Sequence, residues 1–558
     1  MTRRGKEIAV AAVLIVAAAA GLAWYLGPTG PEVAEIVAEG SEKPLRDPMR
    51  PARGAPRVLV FALDGVGADE LEAVIRGGRA RNIAHLVGKP RRGQPGVYRH
   101  AYAAPGVLSI LPSTTYAAWT SLFTGQPAGV TGVPGNEWFA REEDRFYAPA
   151  PVSVTEHTDA LKVYSDQLMG PVTHAPTVYE RANVRAYVSL AALQRGADLV
   201  TVPDPKAFGP LVSAFAKGVG DGDVKRDLYA ELDEGAAGSL LETIRQRGVA
   251  DLQVVYFPGV DLWTHVAPDP IRDERAYVET VVDRVVGQVL GAYRRRHALK
   301  DTYVLFVADH GHTPVLSDDA HALGADGLDE PPEVLRRAGF RVRPFKLDVA
   351  DDERDYQAVV AYQGAMAYVY LADRSVCAAP GTRCDWRRPP RLAEDVLPAV
   401  RAFDAANRTG AGVPQLRGTL DLIFARPPGR DAAPFQVWDG ERLVPIGQYL
   451  AAHPRPDLLD LERRMAALAT GPYGSHAGDV LLLAKSGSGI PVGERYYFSG
   501  VYHSWHGSPT DQDSRIPLVV AQPGGDGRQL RALVTRAVGE HPGQLDVSRL
   551  ILALLRRG

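Results

Sequence analysis

The side chains of this sequence that could most readily bind metal or take part in catalysis are aspartates and histidines close to apolar runs. They are Asp64, Asp261, His265, Asp309, His310 and His506. Three Asp and three His make two sets of three ligands of the kind that catalytic zinc uses, and each set leaves coordination open for water or substrate. Two such metals about 4 Å apart can bind the attacking and leaving oxygens of an in-line displacement. The pattern therefore predicts two divalent metal ions, with zinc expected and manganese as the alternative.

A nucleophile for this centre is offered by the hydroxyl groups of the segment LPSTTYAAWTSLFTG. Ser113, Thr114 and Thr115 precede a helix predicted over 116–124. An anionic group at the start of that helix would meet free N–H groups and the positive end of the helix dipole. The alternative interpretation is that these hydroxyls only cap the helix, as residues of this kind often do.

Each of these residues has a plainer interpretation when it is taken alone. Asp64 could be a helix N-cap, and the pair Asp261 and His265 could be a surface arrangement on a helix. His503 is the rival of His506 for the last ligand position, and Thr114 is the alternative nucleophile. Two further histidines are interpreted as residues of loops or as supports that do not bind the metal, namely His312 and His476.

The elements that must position these residues are apolar runs typical of strands buried on both faces. Helical patterns at 69–76 and 275–294 alternate with them, which predicts an α/β sandwich around a largely parallel sheet. Ligands of such sheets gather at the carboxyl ends of the strands. The stretch 316–475 is less regular and predicts loops and an inserted capping subdomain. The runs are RVLVFAL (57–63), LQVVYF (252–257), TYVLFVA (302–308), DVLLLA (479–484) and IPLVVA (516–521).

The N-terminal segment 1–26 predicts export. Its apolar run, 8–26, follows basic residues and has about the length that spans a bilayer, so it is interpreted as a membrane anchor. A cleaved signal peptide is the alternative, since small residues at 17–20 offer cleavage sites. The Pro-, Gly- and charge-rich residues 27–56 predict a linker. The catalytic domain, 57–558, is therefore expected outside the cytoplasm, in the periplasm or the extracellular space.

The cysteines and the charge narrow the class of protein further. Cys377 and Cys384 are the only two cysteines, and they bracket a short Pro/Gly loop, which predicts a disulfide in an exported protein. Two unrelated thiols are the alternative. The 63 Lys and Arg nearly balance the 66 Asp and Glu, which gives no electrostatic reason to expect nucleic acid as a partner. The sequence gives no indication of oligomeric state.

Six short motifs in the same order resemble the type I phosphodiesterase/nucleotide pyrophosphatase branch of the alkaline phosphatase superfamily. They are LDG (63–65), PSTTYAAWTSLFTG (112–125), GN (135–136), VDLWTH (260–265), ADHG (308–311) and HGS (506–508). The resemblance implies Thr115 as nucleophile, through a phosphothreonine intermediate, and Asn136 as donor to a phosphoryl oxygen. It implies two ligand sets, one of Asp64, Thr115, Asp309 and His310, the other of Asp261, His265 and His506.

The sequence also departs from the patterns of this superfamily. Ala117 and Ala118 stand where phosphodiesterases often carry Pro-Asn, and Thr131 stands where a His is frequent. The Lys-x-Arg pair of threonine-type monoesterases is absent from 189–196, where Arg195 is the one cation. The absence of the Lys-x-Arg pair favours hydrolysis of phosphodiesters or phosphoanhydrides over a phosphomonoesterase, because a dianionic phosphate requires more positive charge. Ala117 and Ala118 instead put one expected oxyanion contact in doubt. An inactive, membrane-anchored binding module is the third hypothesis, and the complete ligand set counts against it.

Overall fold

The computed structural model describes residues 56–154, 156, 158–164, 168–202, 226–324, 331–427, 429 and 433–556. The predicted anchor or signal peptide, 1–26, lies outside the described residues, as does the linker apart from its last residue. In the part of the chain that is described, no helix is long and apolar enough to cross a membrane.

The strands fall into a central sheet, a second large sheet and three small two-stranded sheets. In chain order they are β1 (Arg57–Leu63), β2 (Ala101–Ala103), β3 (Trp138–Ala140), β4 (Arg145–Tyr147), β5 (Ala186–Ser189), β6 (Leu199–Thr201), β7 (Leu252–Phe257), β8 (Thr302–Ala308), β9 (Thr313–Pro314), β10 (Ala322–Leu323), β11 (Ala358–Gln363), β12 (Met366–Leu371), β13 (Leu420–Ala425), β14 (Gln436–Trp438), β15 (Leu443–Pro445), β16 (Val480–Ala484), β17 (Tyr497–Phe498), β18 (Ser504–Trp505) and β19 (Leu518–Ala521).

Helices pack against both large sheets. In chain order they are α1 (Ala68–Gly77), α2 (Arg81–Val87), α3 (Thr115–Thr124), α4 (Ala128–Thr131), α5 (Thr158–Tyr164), α6 (Met169–Val172), α7 (Val178–Ala182), α8 (Arg226–Arg247), α9 (Pro258–Val266), α10 (Pro270–Tyr277), α11 (Asp283–Arg295), α12 (Pro331–Arg337), α13 (Leu397–Thr409), α14 (Ile446–Ala452), α15 (Leu461–Ala469), α16 (Asp511–Ser514), α17 (Gly527–Val538) and α18 (Asp546–Leu555). A π-helical turn, Val278–Val282, joins α10 to α11, and another, Leu392–Val396, precedes α13.

The central sheet has the strand order β2-β19-β8-β1-β7-β5-β6. β1 pairs in parallel with β7 and β8, and β19 runs antiparallel to its neighbours β8 and β2. β7 is buried at every residue, and β1 and β8 at nearly every one, as expected where helices cover both faces of a sheet. The predicted α/β fold with a largely parallel central sheet is confirmed, and these three strands have the bounds predicted from their apolar runs.

A second, antiparallel sheet has the strand order β11-β12-β16-β13-β14-β15. It occupies much of the stretch predicted to be irregular, 316–475, and its middle strand β16 lies beyond that stretch. The run 479–484 therefore belongs to this sheet and not, as its apolar pattern predicts, to the central one, because a fully buried strand has the same pattern in either sheet. Whether this region is a separate capping subdomain remains a prediction.

The predicted disulfide between Cys377 and Cys384 is present in the structure.

Candidate metal centre

The ends of two neighbouring strands place the first pair of predicted ligands. β1 and β8 run in register up to Leu63 and Ala308, so the next residues, Asp64 and Asp309, lie side by side. The backbone N–H of Gly65 donates to Asp309 Oδ1 at 3.1 Å, which fixes that carboxylate. Helix α1 begins after Gly67, so Asp64 is not its N-cap. The plainer interpretation of Asp64 as a helix cap is therefore wrong.

Helix α9 carries the second pair. It begins at Pro258, directly after β7, and places Asp261 and His265 one turn apart on the same side. His265 Nε2 lies 3.4 Å from Asp261 Oδ1. The start of the helix is held by the buried carboxylate of Asp233, which accepts a hydrogen bond from the backbone N–H of Gly259 at 3.1 Å. Both side chains are buried, so this is no surface pair.

Thr115 is the first residue of α3, and its hydroxyl lies beside one of the candidate histidines. Its Oγ1 lies 3.3 Å from His310 Nε2. Thr114 is the N-cap residue but makes no capping hydrogen bond with its side chain, and Ser113 donates to the carbonyl oxygen of Ser508. The hydroxyls thus do not serve as caps. Thr115 is 9% exposed and Thr114 is completely buried, so Thr115 is the hydroxyl that a substrate can reach.

The three predicted histidine ligands are oriented in the same way. In each ring Nδ1 faces a backbone carbonyl oxygen, which can only accept, so Nδ1 carries the proton and the lone pair is on Nε2. The pairs are His265 with Ser504 at 2.8 Å, His310 with Gly311 at 3.1 Å and His506 with Ser113 at 2.9 Å. Nε2 of each ring lies within 4 Å of Asp261 Oδ1. The arrangement suits imidazoles that bind a metal through Nε2.

The three aspartates require positive charge that the described side chains do not supply. Asp64, Asp261 and Asp309 are buried, and among the described residues they form ion pairs with histidines alone. Burial, followed by repulsion from Asp309 and Asp261, raises the pKa of Asp64 well above its usual range. One oxygen of each carboxylate has no hydrogen-bond partner. Because unpaired buried carboxylates are costly, this donor set fits divalent cations.

The donor atoms of Asp64, Asp309 and His310 lie within 4.8 Å of one another, and Thr115 Oγ1 lies 3.3 Å from His310 Nε2. This group is the first ligand set implied by the resemblance, and the structure brings it together.

The second set is arranged differently from the sequence-based expectation. Asp261 forms one close group with His265 and His312, and another with His310 and His506. His506 Nε2 is 3.8 Å from Asp261 Oδ1, whereas His312 Nε2 is only 3.0 Å away. His506 is therefore next to Asp261, but Asp261, His265 and His506 do not form a single close group.

Asn136 lies beside the start of α3. Its Oδ1 accepts a hydrogen bond from the backbone N–H of Tyr116 at 3.2 Å, so its amide nitrogen remains as a donor. The backbone N–H of Asn136 donates to Gln363 Oε1 at 2.8 Å, and Gln363 also donates to the carbonyl oxygen of Glu137. Gln363, from β11, thus positions the loop that carries Asn136.

Two supporting residues could not be singled out from the sequence. The hydroxyl of Tyr256 donates a short hydrogen bond to Asp64 Oδ2, and the only signal was a polar ring in an otherwise apolar strand. Gln363 had no local signal, because its partner Asn136 is 227 positions away.

The remaining candidates lie outside the centre or are held by other groups. His476 is hydrogen-bonded through Nδ1 to the carbonyl oxygen of Gly132 and through Nε2 to the carboxylate of Glu142. Arg195 binds Glu180 and nearby carbonyl oxygens. His503 donates its backbone N–H to the carbonyl oxygen of His265, and its side chain belongs to no group of metal-binding residues in the described ranges.

The chain is a phosphoric ester hydrolase, and its buried groups of Asp and His, with Thr115, lie at the carboxyl edge of a largely parallel sheet. More particularly, it belongs to the type I phosphodiesterase/nucleotide pyrophosphatase family, whose sequence model matches residues 58–379, more than half of the chain. The resemblance stated from the motifs is thereby confirmed. No curated protein matches.

Solved structures of low sequence identity match most of the chain. An inactive variant of murine ectonucleotide pyrophosphatase/phosphodiesterase 5 in complex with AMP is 12% identical, covers 90% of this chain and 95% of its own, and gives a TM-score of 0.47. Phosphonoacetate hydrolase from Sinorhizobium meliloti 1021 in complex with phosphonoformate is 15% identical, with coverages of 90% and 96% and a TM-score of 0.46. The human ectonucleotide pyrophosphatase/phosphodiesterase 5 is 10% identical, with coverages of 86% and 94% and a TM-score of 0.45.

Proposed function

We propose that this protein hydrolyses phosphodiester or phosphoanhydride bonds, with Thr115 as nucleophile and two divalent metal ions, zinc in the first place, as cofactors. The observation that carries the proposal is the position of Thr115 Oγ1. It lies at the first residue of a helix and 3.3 Å from His310 Nε2, beside buried aspartates that lack a Lys or Arg partner in the described chain.

The ligands divide between two ions. Asp64, Asp309 and His310, with the hydroxyl of Thr115, would hold one ion, and Asp261, His265 and His506 would hold the other. Bound at these positions, divalent ions lower the pKa of a hydroxyl or a water molecule and neutralise charge on the phosphoryl group.

The chain itself contributes position and polarity. Thr115 loses its hydroxyl proton to solvent as Oγ1 attacks phosphorus, and the ester or anhydride oxygen leaves with the bonding electron pair and takes up a proton from water. A water molecule then attacks the phosphoryl group carried on Thr115, its oxygen stays on phosphorus, and Oγ1 leaves with the bonding electron pair and regains a proton. The N-terminus of α3 faces this phosphoryl group with its positive dipole end. The amide nitrogen of Asn136, which Gln363 and Tyr116 hold in place, donates to a phosphoryl oxygen.

The distribution of cations favours a diester or an anhydride as substrate. Within the described residues no Lys or Arg forms an ion pair with an aspartate of the centre, and Arg195, the cation of 189–196, is held by Glu180 and carbonyl oxygens. A phosphodiester carries one negative charge and requires less compensation than a dianionic monoester. A phosphomonoesterase remains the second candidate.

We also propose that the protein acts outside the cytoplasm, in the periplasm or the extracellular space. The apolar segment 8–26 would direct export and either anchor the chain in the membrane or be cleaved. The disulfide between Cys377 and Cys384 supports this location, because structural disulfides persist in oxidising compartments.

The test compares hydrolysis of bis-p-nitrophenyl phosphate and p-nitrophenyl phosphate by the purified chain, with and without zinc. We expect zinc-dependent hydrolysis that is faster on the diester. Thr115→Ala should lower turnover by at least about 10³-fold while metal content stays near that of the unaltered chain, since it removes the nucleophile. Thr114→Ala is the matched control and should keep most activity. Faster monoester hydrolysis would favour the second candidate, and activity retained in Thr115→Ala would place the nucleophile elsewhere.

A further inference from the structure

We propose that His312 is an additional imidazole ligand of the metal held by Asp261 and His265. The inference rests on the two-metal centre proposed above and changes its composition. His312 was expected to be a loop residue or a support. In the structure it is buried, and its Nε2 has no hydrogen-bond partner although it lies 3.0 Å from Asp261 Oδ1.

The hydrogen bonds around His312 determine which nitrogen has the lone pair. Ser504 donates its single hydroxyl proton to the carbonyl oxygen of Thr264 at 2.9 Å. Ser504 Oγ can therefore only accept from His312 Nδ1, which is 3.1 Å away, so Nδ1 carries the proton. In the neutral ring the lone pair is then on Nε2, the orientation already found in His265, His310 and His506.

This orientation is unfavourable without a cation. His312 Nε2 lies 3.0 Å from Asp261 Oδ1, and neither atom has a hydrogen-bond partner among the described residues. Two acceptors at hydrogen-bond distance repel each other, and leaving both unsatisfied while buried costs free energy. A divalent ion between them would serve as the shared partner of both atoms.

The distances agree with ligands around one tetrahedral ion. Zn–N bonds of about 2.0–2.1 Å place neighbouring ligand atoms of a tetrahedron about 3.3–3.4 Å apart. From Asp261 Oδ1 the Nε2 atoms of His312, His265 and His506 lie at 3.0, 3.4 and 3.8 Å. His312 and His265 thus fit one ion together with Asp261, whereas His506 belongs to the close group of Asp261 and His310.

Gly65 provides the room for this ring. It has a φ of +69°, and a Cβ atom at this position would lie only 2.5 Å from His312 Nε2. The turn after β1 that carries Asp64 is thus shaped to admit His312. With His312 included, Asp261, His265 and His312 form one close group of three ligands, which leaves coordination open for water or substrate.

The test uses the full chain, with metal removed by a chelator and then restored as zinc or Co²⁺. Metal content is measured by mass spectrometry in buffers of defined free zinc, and ligation by the visible absorption of the Co²⁺ protein. The variants are His312→Ala and His312→Gln, because a glutamine amide can still donate a hydrogen bond to Asp261 but supplies no imidazole. His503→Ala is the matched control, since His503 is near but outside every ligand group.

We expect both His312 variants to lose more than about 100-fold in affinity for one of the two ions, beyond the 10–100-fold typical when only a supporting partner is lost. The Co²⁺ absorption should change in both, and His503→Ala should behave as the unaltered chain. Affinity and absorption retained in His312→Gln would overturn the inference and leave His312 as a hydrogen-bond donor to Asp261. An unaltered chain that binds no metal would refute the proposed function itself.

A measurement on the unaltered chain guards against variants that fail to fold. In the Co²⁺-loaded protein, proton NMR should show four strongly shifted, exchangeable imidazole N–H signals, one for each ligand histidine. Three such signals would exclude His312 from the ligand set.

Discussion

The buried carboxylate of Asp233 predicts how stability depends on pH. Asp233 lies beneath α9, where it accepts hydrogen bonds from the hydroxyl of Tyr277 at 2.8 Å and from the backbone N–H of Gly259 at 3.1 Å. Burial, only partly opposed by these hydrogen bonds, raises its pKa from 3.8 to about 7. The folded protein therefore holds a proton on Asp233 at pH values where the unfolded chain has lost it.

The sign and size of the effect follow from proton linkage. Because the pKa is higher in the folded state, the stabilisation is complete below pH 3.8 and is lost as pH rises through about 7. Between these values the unfolded state binds fewer protons, and the free energy of unfolding falls by about 1.4 kcal/mol per pH unit. A shift of roughly three units amounts to about 4 kcal/mol, an upper estimate, at pH 8.

The substitution Asp233→Asn removes this ionisation and keeps an acceptor for Gly259. We expect the variant to be more stable than the unaltered chain by up to about 4 kcal/mol at pH 8 and by about 1.6 kcal/mol at pH 5, and to differ little at about pH 3.5. Urea unfolding at several pH values measures the difference between the two proteins, in which the other titrating groups cancel. The exposed residue Asp352 provides the control substitution, Asp352→Asn. If the free energies of unfolding of Asp233→Asn and of the unaltered chain changed in parallel with pH, burial would not raise the pKa of Asp233 and the reasoning would be refuted.

Three further predictions concern positions around the centre. Gln363→Ala should lower kcat at least about tenfold with metal content unchanged, because Asn136 loses the hydrogen bond that holds its backbone. Activity assays at fixed times and zinc analysis of the same samples measure the two quantities. Cys377→Ser should lower the free energy of unfolding by about 2–3 kcal/mol, because the disulfide with Cys384 no longer restricts the unfolded chain. Reducing agent should have the same effect on the unaltered chain. His506→Ala should deplete one of the two ions in metal analysis, and full retention of both would remove His506 from the ligand set.

The parts of the fold that the sequence predicts well are those with a local signal. β1, β7 and β8 have the predicted bounds because a strand buried on both faces is a continuous apolar run, whatever its neighbours are. The same run does not say which sheet the strand joins, and for that reason β16 was misplaced. The helix predicted over 275–294 is in fact α10 and α11, joined by a π-helical turn that has no sequence signal we can identify.

The site divides in the same way. The aspartates and histidines could be predicted because their residue types and motifs stand next to the strand ends. The supporting contacts could not, because each joins residues far apart in the chain: Tyr256 and Asp64 are 192 positions apart, and Ser504 and His312 are also 192 apart. Such pairings depend on how the loops are arranged in the folded protein, and the residues of one segment do not predict that arrangement.

The second sheet is part of the functional centre. At the turn of the β11–β12 hairpin, the backbone N–H of Ala365 donates to the carbonyl oxygen of His506 at 2.9 Å. Gly364 has a φ of +67°, and a Cβ atom there would lie 2.2 Å from that oxygen. The preceding residue, Gln363, holds Asn136. One hairpin therefore positions both a predicted metal ligand and the predicted phosphoryl donor.

This arrangement separates two kinds of support for the centre. Asp64, Asp309 and Asp261 are fixed by the central sheet and by the helix that follows β7. His506 and Asn136 are fixed by backbone and amide contacts with the second sheet. A change in the second sheet should therefore alter His506 and Asn136 together while leaving the three carboxylates in place. We therefore expect substrate positioning and the affinity of one ion to be coupled through a single turn, whereas the three carboxylates depend on the central sheet and on α9.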